Sequence, residues 1–214
     1  MLNQDWPAEK LNEVGHSFGT RFADSVSSPT LLKALKDQKK SGNCFAYSML
    51  WARQCLKLKR KLAEKNELLT SHHLMVAAQA MQSWQVRENK KGSFGAEGMF
   101  GESYYQAMAS AFCVSASEAG KDVGFNPRTA HTDWLDVVTS TEGVYVIAFT
   151  FLAGGAHAVA AMNVGRDLVF FDPNYGQYST DNVAPWEMLQ FQIDVNKGCE
   201  SYGGMQDWIA VRVT

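Results

Sequence analysis

The sequence lacks the features that mark membrane, secreted and nucleic-acid-binding proteins. No segment of its 214 residues is long and apolar enough to cross a membrane, and the N-terminus, MLNQDWPAEKLNEVG, carries charges and a proline where a secretory signal is apolar. We therefore expect no transmembrane segment and no general secretory signal, while export by a specialised system stays open. The 20 basic and 22 acidic residues give a formal net charge of −2, which argues against nucleic-acid binding.

Cysteine is scarce, and its spacing excludes two common kinds of site. The chain has 4 cysteines, with no CxxC pair and no cysteine clustered with histidine. We therefore expect neither a zinc site nor a disulfide framework, and we predict no metal and no cofactor. Three of the cysteines are interpreted as small packing residues, and they are Cys55, Cys113 and Cys199. The fourth, Cys44, stands at the start of a helical pattern.

The first half of the chain has the apolar periodicity of helices. Apolar residues recur at helical spacing after Cys44, which predicts a helix to about residue 66. A second helix is predicted from a cap at residue 70 or 71, and a third follows residue 103 and stops at Gly120.

The second half changes to the alternating, β-branched patterns of strands. Strands are predicted over 143–152, 157–164 and 168–171, and a short turn joins the last two into an antiparallel hairpin. A short helix from Pro185 and a closing strand over 208–213 follow. Helices before antiparallel strands indicate an α+β fold, and the 46% hydrophobic composition fits one domain.

Three residues in this arrangement point to thiol chemistry. Cys44 lies at a helix start, where the partial positive charge of the helix suits a thiolate. His157 opens one strand of the hairpin and Asp172 ends the next, so their side chains are expected to meet at one end of the sheet. Each residue alone is more simply explained by packing or by a turn. Their joint placement favours a nucleophile, a general base and the acceptor that orients it.

The motifs around these residues resemble those of the YopT-type cysteine proteases. The resemblance rests on GNC at 42–44 running into a helix with Trp51, on AHA at 156–158 and on FDPNYG at 171–176. It implies a papain-like α+β fold, with a helical lobe packed against an antiparallel sheet lobe. The protease domain would span residues 30–214 after an N-terminal segment, residues 1–29.

The resemblance also implies roles for single residues and for the whole protein. Cys44 would be the nucleophile, His157 the general base and then acid, and Asp172 the group that orients the imidazole. Papain-like enzymes use an upstream amide side chain to stabilise the oxyanion, which makes Gln38 the candidate and Asn43 its rival. Members of the family are effectors or toxins, so we expect a protein substrate, such as a host GTPase or kinase. We also expect secretion from the bacterial cytoplasm by a specialised system.

Other functions fit the same residues. A thioester at Cys44 could be opened after attack on glutamine, which would make a deamidase, or by an amine, which would make a transglutaminase or acyltransferase. The chain could also be a non-catalytic binding module in which Cys44 is structural. The basic run KLKRK at 57–61 is interpreted as a solvated helix face. The sequence does not predict an oligomeric state.

Overall fold

The described part of the chain forms one antiparallel sheet with helices on both faces. The computed structural model describes residues 3–7, 44–69, 88–93, 98–123, 133–152, 154–165, 167–180 and 205–214. The helices are α1 (Cys44–Leu58), α2 (Lys65–Leu69), α3 (Glu102–Ala111) and α4 (Asp133–Ser140), with a short 3₁₀ helix at Gly98–Phe100. The strands are β1 (Asn3–Pro7), β2 (Ala116–Asp122), β3 (Gly143–Phe151), β4 (Ala156–Val164), β5 (Asp167–Asp172), β6 (Gly176–Thr180) and β7 (Met205–Val213).

The seven strands of this sheet follow the order β1-β6-β5-β4-β3-β7-β2, and every neighbouring pair is antiparallel. The predicted strands of the second half are confirmed, since β3, β4, β5 and β7 lie where the pattern placed them. β4 and β5 form the predicted hairpin. Helices combined with an antiparallel sheet confirm the α+β prediction.

Strand β3 separates two hydrophobic cores. Its even-numbered residues, such as Val146, pack into the core that holds α1 and α3. Its odd-numbered residues, such as Ile147, pack into the core that holds α4. Side chains alternate across a strand, so a strand buried on both faces reads as a continuous apolar run. That burial explains why β3 was visible in the sequence.

Helix α1 is buried along most of its length and ends earlier than predicted. All residues from Phe45 to Ala52 are buried. The helix stops at Leu58 because Lys59 adopts a left-handed backbone conformation, with φ of 55°. The predicted end near residue 66 is therefore wrong, and the basic run at 57–61 straddles the end of the helix instead of forming one helical face.

The predicted helix stop at Gly120 is also wrong. Helix α3 ends at Ala111, Cys113 follows in a left-handed conformation with φ of 55°, and Gly120 lies within edge strand β2, which pairs with β7. A Cβ atom at Gly120 would lie 2.9 Å from Cγ2 of Val137. The glycine is therefore needed for the close approach of α4 to the sheet.

Several predictions fall on residues that the structure does not describe. They are the helix cap at residue 70 or 71, the helix from Pro185 and the boundary between residues 29 and 30. The division into an N-terminal segment and a domain stays a prediction. Strand β1, which lies in the predicted N-terminal segment, pairs with β6. In the described ranges, no helix combines the length and the apolar content that a membrane span requires.

Candidate active site

Cys44 is the first residue of α1 and packs against the core that this helix shares with the sheet. Its free thiol is partly exposed, whereas the residues that follow it are buried. The first turn of α1 contains no acidic residue. Unpaired backbone N–H groups at a helix N-terminus carry a partial positive charge, and no carboxylate of this turn opposes it. Such an environment suits a negatively charged sulfur.

His157 and Asp172 meet at one end of the sheet, as the hairpin predicted. The register pairs Ala160 with Phe171. The next pair in this register would place Asp172 opposite Val159. His157 precedes Val159 by two residues, so it is the diagonal neighbour of Asp172 on the same side of the hairpin. Nε2 of His157 lies 3.1 Å from each of the two carboxylate oxygens.

The carboxylate fixes the orientation and the tautomer of the imidazole. A carboxylate only accepts hydrogen bonds, so Nε2 of His157 carries the proton that it donates to Asp172. The backbone N–H of Asn174 also donates to Oδ1 of Asp172, over 2.7 Å. This bond belongs to the turn that follows β5 and holds the carboxylate in place. Nδ1 of His157 is left to exchange a proton with another group.

His157 also interacts with Cys44, and its protonated form is favoured. Burial alone would lower the pKa of His157, but the hydrogen bonds to Asp172 and Cys44, together with the charges of these two groups, outweigh it. The pKa is raised from 6.5 to about 10. The structure thus brings together all three residues that the sequence singled out, and the imidazole lies between the thiol and the carboxylate.

Tyr104 of α3 is a further polar group near the thiol that the sequence did not reveal. Its ring lies 5.8 Å from that of Phe45, the residue after Cys44. Burial raises the pKa of the Tyr104 phenol, and the charge of Cys44 raises it further. The phenol therefore stays protonated at neutral pH. Tyr104 was indistinguishable in the sequence from the other aromatic residues at helical spacing.

The remaining sequence-predicted residues are placed as follows. Gln38 and its rival Asn43 lie outside the described residues, so the second oxyanion donor stays a prediction. Cys55 is buried in the core, as predicted, but the packing interpretation of Cys113 is wrong because this thiol is exposed. Cys199 is not among the described residues. In the ranges that are described, no three His, Cys, Asp or Glu side chains are grouped so as to hold a metal ion.

Comparison with known proteins gives information on the family and the fold of the chain. The family model Peptidase_C58, described as "Yersinia/Haemophilus virulence surface antigen", matches residues 16–196. Comparison with curated proteins gave no match. Among solved structures, the chain is similar to the Pseudomonas avirulence protein AvrPphB, with a TM-score of 0.59 at 14% sequence identity. The similarity covers 83% of this chain and 94% of AvrPphB, and it shows the fold.

These findings confirm the resemblance that the sequence motifs suggested. The similarity to AvrPphB confirms the papain-like α+β fold, in which a helical layer packs against an antiparallel sheet. The family match covers most of the chain and implies cysteine peptidase activity in a family of bacterial virulence effectors. The chain therefore belongs to the Peptidase_C58 family, the YopT-type cysteine peptidases.

Proposed function

We propose that the protein is a cysteine endopeptidase in which Cys44, His157 and Asp172 form the catalytic triad. The observation that supports this most directly is the imidazole of His157, whose Nε2 lies 3.1 Å from both oxygens of Asp172 while Cys44 is close enough to raise the pKa of the ring. A thiol at a helix start, a base beside it and an acceptor behind the base are the requirements of nucleophilic thiol catalysis.

The reaction has two steps in this arrangement. The Cys44 sulfur attacks the carbonyl carbon of the scissile bond, and His157 delivers a proton to the leaving amine, which departs and leaves a thioester. Water then attacks the thioester, His157 accepts its proton, and the carboxylic acid product leaves as the thiol is regenerated. Asp172 keeps Nε2 occupied throughout, so that Nδ1 faces the reaction.

The negative charge on the carbonyl oxygen needs hydrogen-bond donors in both steps. The backbone N–H of Cys44, at the start of α1, is one suitable donor. We propose the side-chain amide of Gln38 as the second, with Asn43 as the alternative. Replacing each amide by alanine tests this choice, because loss of one oxyanion donor lowers kcat by roughly 10²- to 10³-fold.

The substrate is proposed from the family. We propose that the protein is secreted from the bacterial cytoplasm by a specialised system and acts on a protein in a host or target cell. The leading candidate for the substrate is a host GTPase or kinase. Treatment of a host-cell extract with the purified protein, followed by mass spectrometry of new peptide termini, identifies the substrate. New termini confined to proteins outside these two classes would overturn this assignment and leave the peptidase assignment intact.

The same measurement separates the peptidase from its alternatives. A gain of about one dalton at glutamine or asparagine, or an amine cross-linked to glutamine, instead of new termini, would indicate deamidation or acyl transfer through the same thioester. No change of either kind, together with binding of a host protein that survives the change Cys44→Ala, would indicate a binding module.

The change Cys44→Ala tests the nucleophile itself. We expect it to abolish cleavage while circular dichroism and the melting temperature stay close to those of the wild type, because Cys44 is only partly buried. Cys113→Ala is the matched control, since it removes an exposed thiol elsewhere and should leave cleavage unchanged. Retained turnover in the Cys44→Ala protein would falsify the assignment.

A further inference from the structure

The N-terminal strand β1 is joined to the structure around the site by a polar network. β1 pairs with β6, and the register shifts between Gln4 and Trp6, which makes Asp5 the extra residue of a β-bulge. A bulge changes the direction in which a side chain points. Here Asp5 is partly buried and the next residue, Trp6, is buried as well. Two consecutive residues of β1 therefore face the protein.

The carboxylate of Asp5 is the centre of this network. Its Oδ2 accepts a hydrogen bond of 2.7 Å from Nε2 of Gln177, and its Oδ1 accepts one of 2.7 Å from Oγ of Ser179. Nζ of Lys61 lies 3.0 Å from Oδ1 and balances the negative charge. Lys61 also donates to Oγ of Ser179 over 2.7 Å. Both oxygens are thus engaged by donors from β6 and from the segment after α1.

Gln177 connects Asp5 to α1 through hydrogen bonds. Its side chain is fully buried, and its amide nitrogen donates to Asp5 and, over 2.8 Å, to the carbonyl oxygen of Leu62. Its Oε1 accepts a hydrogen bond of 2.9 Å from Nε1 of Trp51. Because a carboxylate only accepts and an indole only donates, the amide fits in one orientation alone. A flipped amide would set its N–H groups against the indole N–H.

The network ends one residue from Asp172. The rings of Trp51 and Phe171 are stacked, with centroids 5.6 Å apart and planes 6° apart, and Trp6 packs against Phe171 with centroids also 5.6 Å apart. Phe171 is fully buried, pairs with Gln177 across β5 and β6, and directly precedes Asp172. Trp51 lies two turns after Cys44 on α1, on the same side of the helix.

We propose that Asp5 is a positioning residue of the catalytic site and that β1 is required for full activity. The inference rests on the proposed triad. By holding Gln177 in one orientation, Asp5 fixes Trp51 against Phe171. It thereby fixes the position of the helix that carries the nucleophile relative to the strand that carries Asp172. Asp5 does not contact the substrate or the reacting atoms. It acts through the buried side chains of Gln177, Trp51 and Phe171.

The test compares Asp5→Ala with the matched control Glu118→Ala. Both changes remove a carboxylate that lies on an edge strand beside a lysine, since Glu118 of β2 lies 3.1 Å from Nζ of Lys121. The measured quantity is the ratio of the alkylation rates of Cys44 and Cys113 with iodoacetamide at pH 6. We expect Asp5→Ala to lower this ratio by about 10- to 100-fold, because small displacements of catalytic groups have effects of this size. Glu118→Ala should leave this ratio unchanged.

A second measurement follows the network without reference to catalysis. The ¹H–¹⁵N signal of the Trp51 indole, assigned with Trp51→Phe, should shift in Asp5→Ala and keep its position in Glu118→Ala. If Asp5→Ala does not fold, Ser179→Ala takes its place, because it removes one of the donors to Asp5. We then expect smaller changes in the alkylation ratio and in the indole signal.

The outcomes separate failure of this inference from failure of the proposed function. A folded Asp5→Ala protein with a lower melting temperature but unchanged Cys44 alkylation would overturn the positioning role and leave the triad standing. An unmoved Trp51 indole signal would overturn the relay through Gln177. If Cys44 of the wild type already reacts no faster than Cys113, it is the proposed function that fails, whatever the indole signal shows.

Discussion

Ser48 Oγ donates a hydrogen bond of 3.1 Å to the carbonyl oxygen of Ala158. Ser48 lies one turn after Cys44 on α1, and Ala158 directly follows His157 on β4. Both residues are buried, so water does not compete for the bond. This buried hydrogen bond therefore joins the helix that carries the thiol to the strand that carries the imidazole.

Replacing Ser48 by alanine should weaken both the fold and the site. A buried carbonyl that loses its partner costs about 1–3 kcal/mol of unfolding free energy, and the loss of the contact lets α1 shift against β4. We expect a decrease of that size in urea unfolding and slower alkylation of Cys44 at pH 6.

A second serine provides the control for this change. Ser140 Oγ donates to the carbonyl oxygen of Val137 over 3.1 Å, at the exposed end of α4. Ser140→Ala should change the unfolding free energy by less than about 0.5 kcal/mol and leave the alkylation rate alone. Equal effects of the two changes would contradict a specific role for the bond to Ala158.

Asp172→Asn should separate the charge of the acceptor from its geometry. An asparagine Oδ1 can still accept from Nε2 of His157 and from the backbone N–H of Asn174, but it carries no negative charge. The pKa of His157 should fall because one of the groups that raise it is lost. We expect slower alkylation of Cys44 at pH 6, because a neutral acceptor stabilises the imidazolium less than a carboxylate does.

Asp172→Ala should be more damaging, since neither hydrogen bond survives. Loss of an oriented base costs about 10²-fold or more. Peptide cleavage measured for both variants distinguishes them, and equal losses in the asparagine and alanine proteins would show that orientation contributes nothing.

Stability should fall as the pH rises through the range in which His157 loses its proton. The folded protein raises the pKa of His157 from 6.5 to about 10, so it holds this proton more tightly than the unfolded chain does. The resulting stabilisation is fully present below pH 6.5 and is lost progressively as the pH approaches 10. Urea unfolding of the wild type and of His157→Ala across this range measures it. Parallel stability curves for the two proteins would refute the raised pKa.

The sequence predicted those parts of the fold that have a strong local pattern. The two-sided burial of β3 gave an uninterrupted apolar run, and the turn between β4 and β5 brought His157 and Asp172 together without knowledge of the rest of the sheet. The proposed triad could be inferred because one hairpin and one helix start carry all three residues.

The parts that were missed depend on distant residues. β2 reads ASEAGKD, a polar edge strand that exists because β7 offers it a partner, and β1 has only five residues. The hydrogen bond between Asp5 and Gln177 joins residues 172 positions apart. No local periodicity encodes such a contact, and Gln177 itself looks like an ordinary surface residue until its burial is known.

The three described cysteines should differ in reactivity for physical reasons that the structure supplies. Cys44 is partly exposed and lies beside His157, whose raised pKa keeps the imidazole protonated at pH 6. Cys113 is exposed, and Cys55 is buried, which raises its pKa well above the usual range. At pH 6 we expect alkylation of Cys44 at least about tenfold faster than that of Cys113 and none of Cys55 before unfolding.

Mass spectrometry of peptides after timed treatment with iodoacetamide measures these rates in one sample. His157→Ala should remove the advantage of Cys44 while the rate of Cys113 stays the same, because Cys113 is not among the groups that interact with this histidine. If Cys44 and Cys113 react alike in the wild type, the imidazole does not activate the thiol. The peptidase proposal then loses its physical basis, and a papain-like binding module is the better account of the fold.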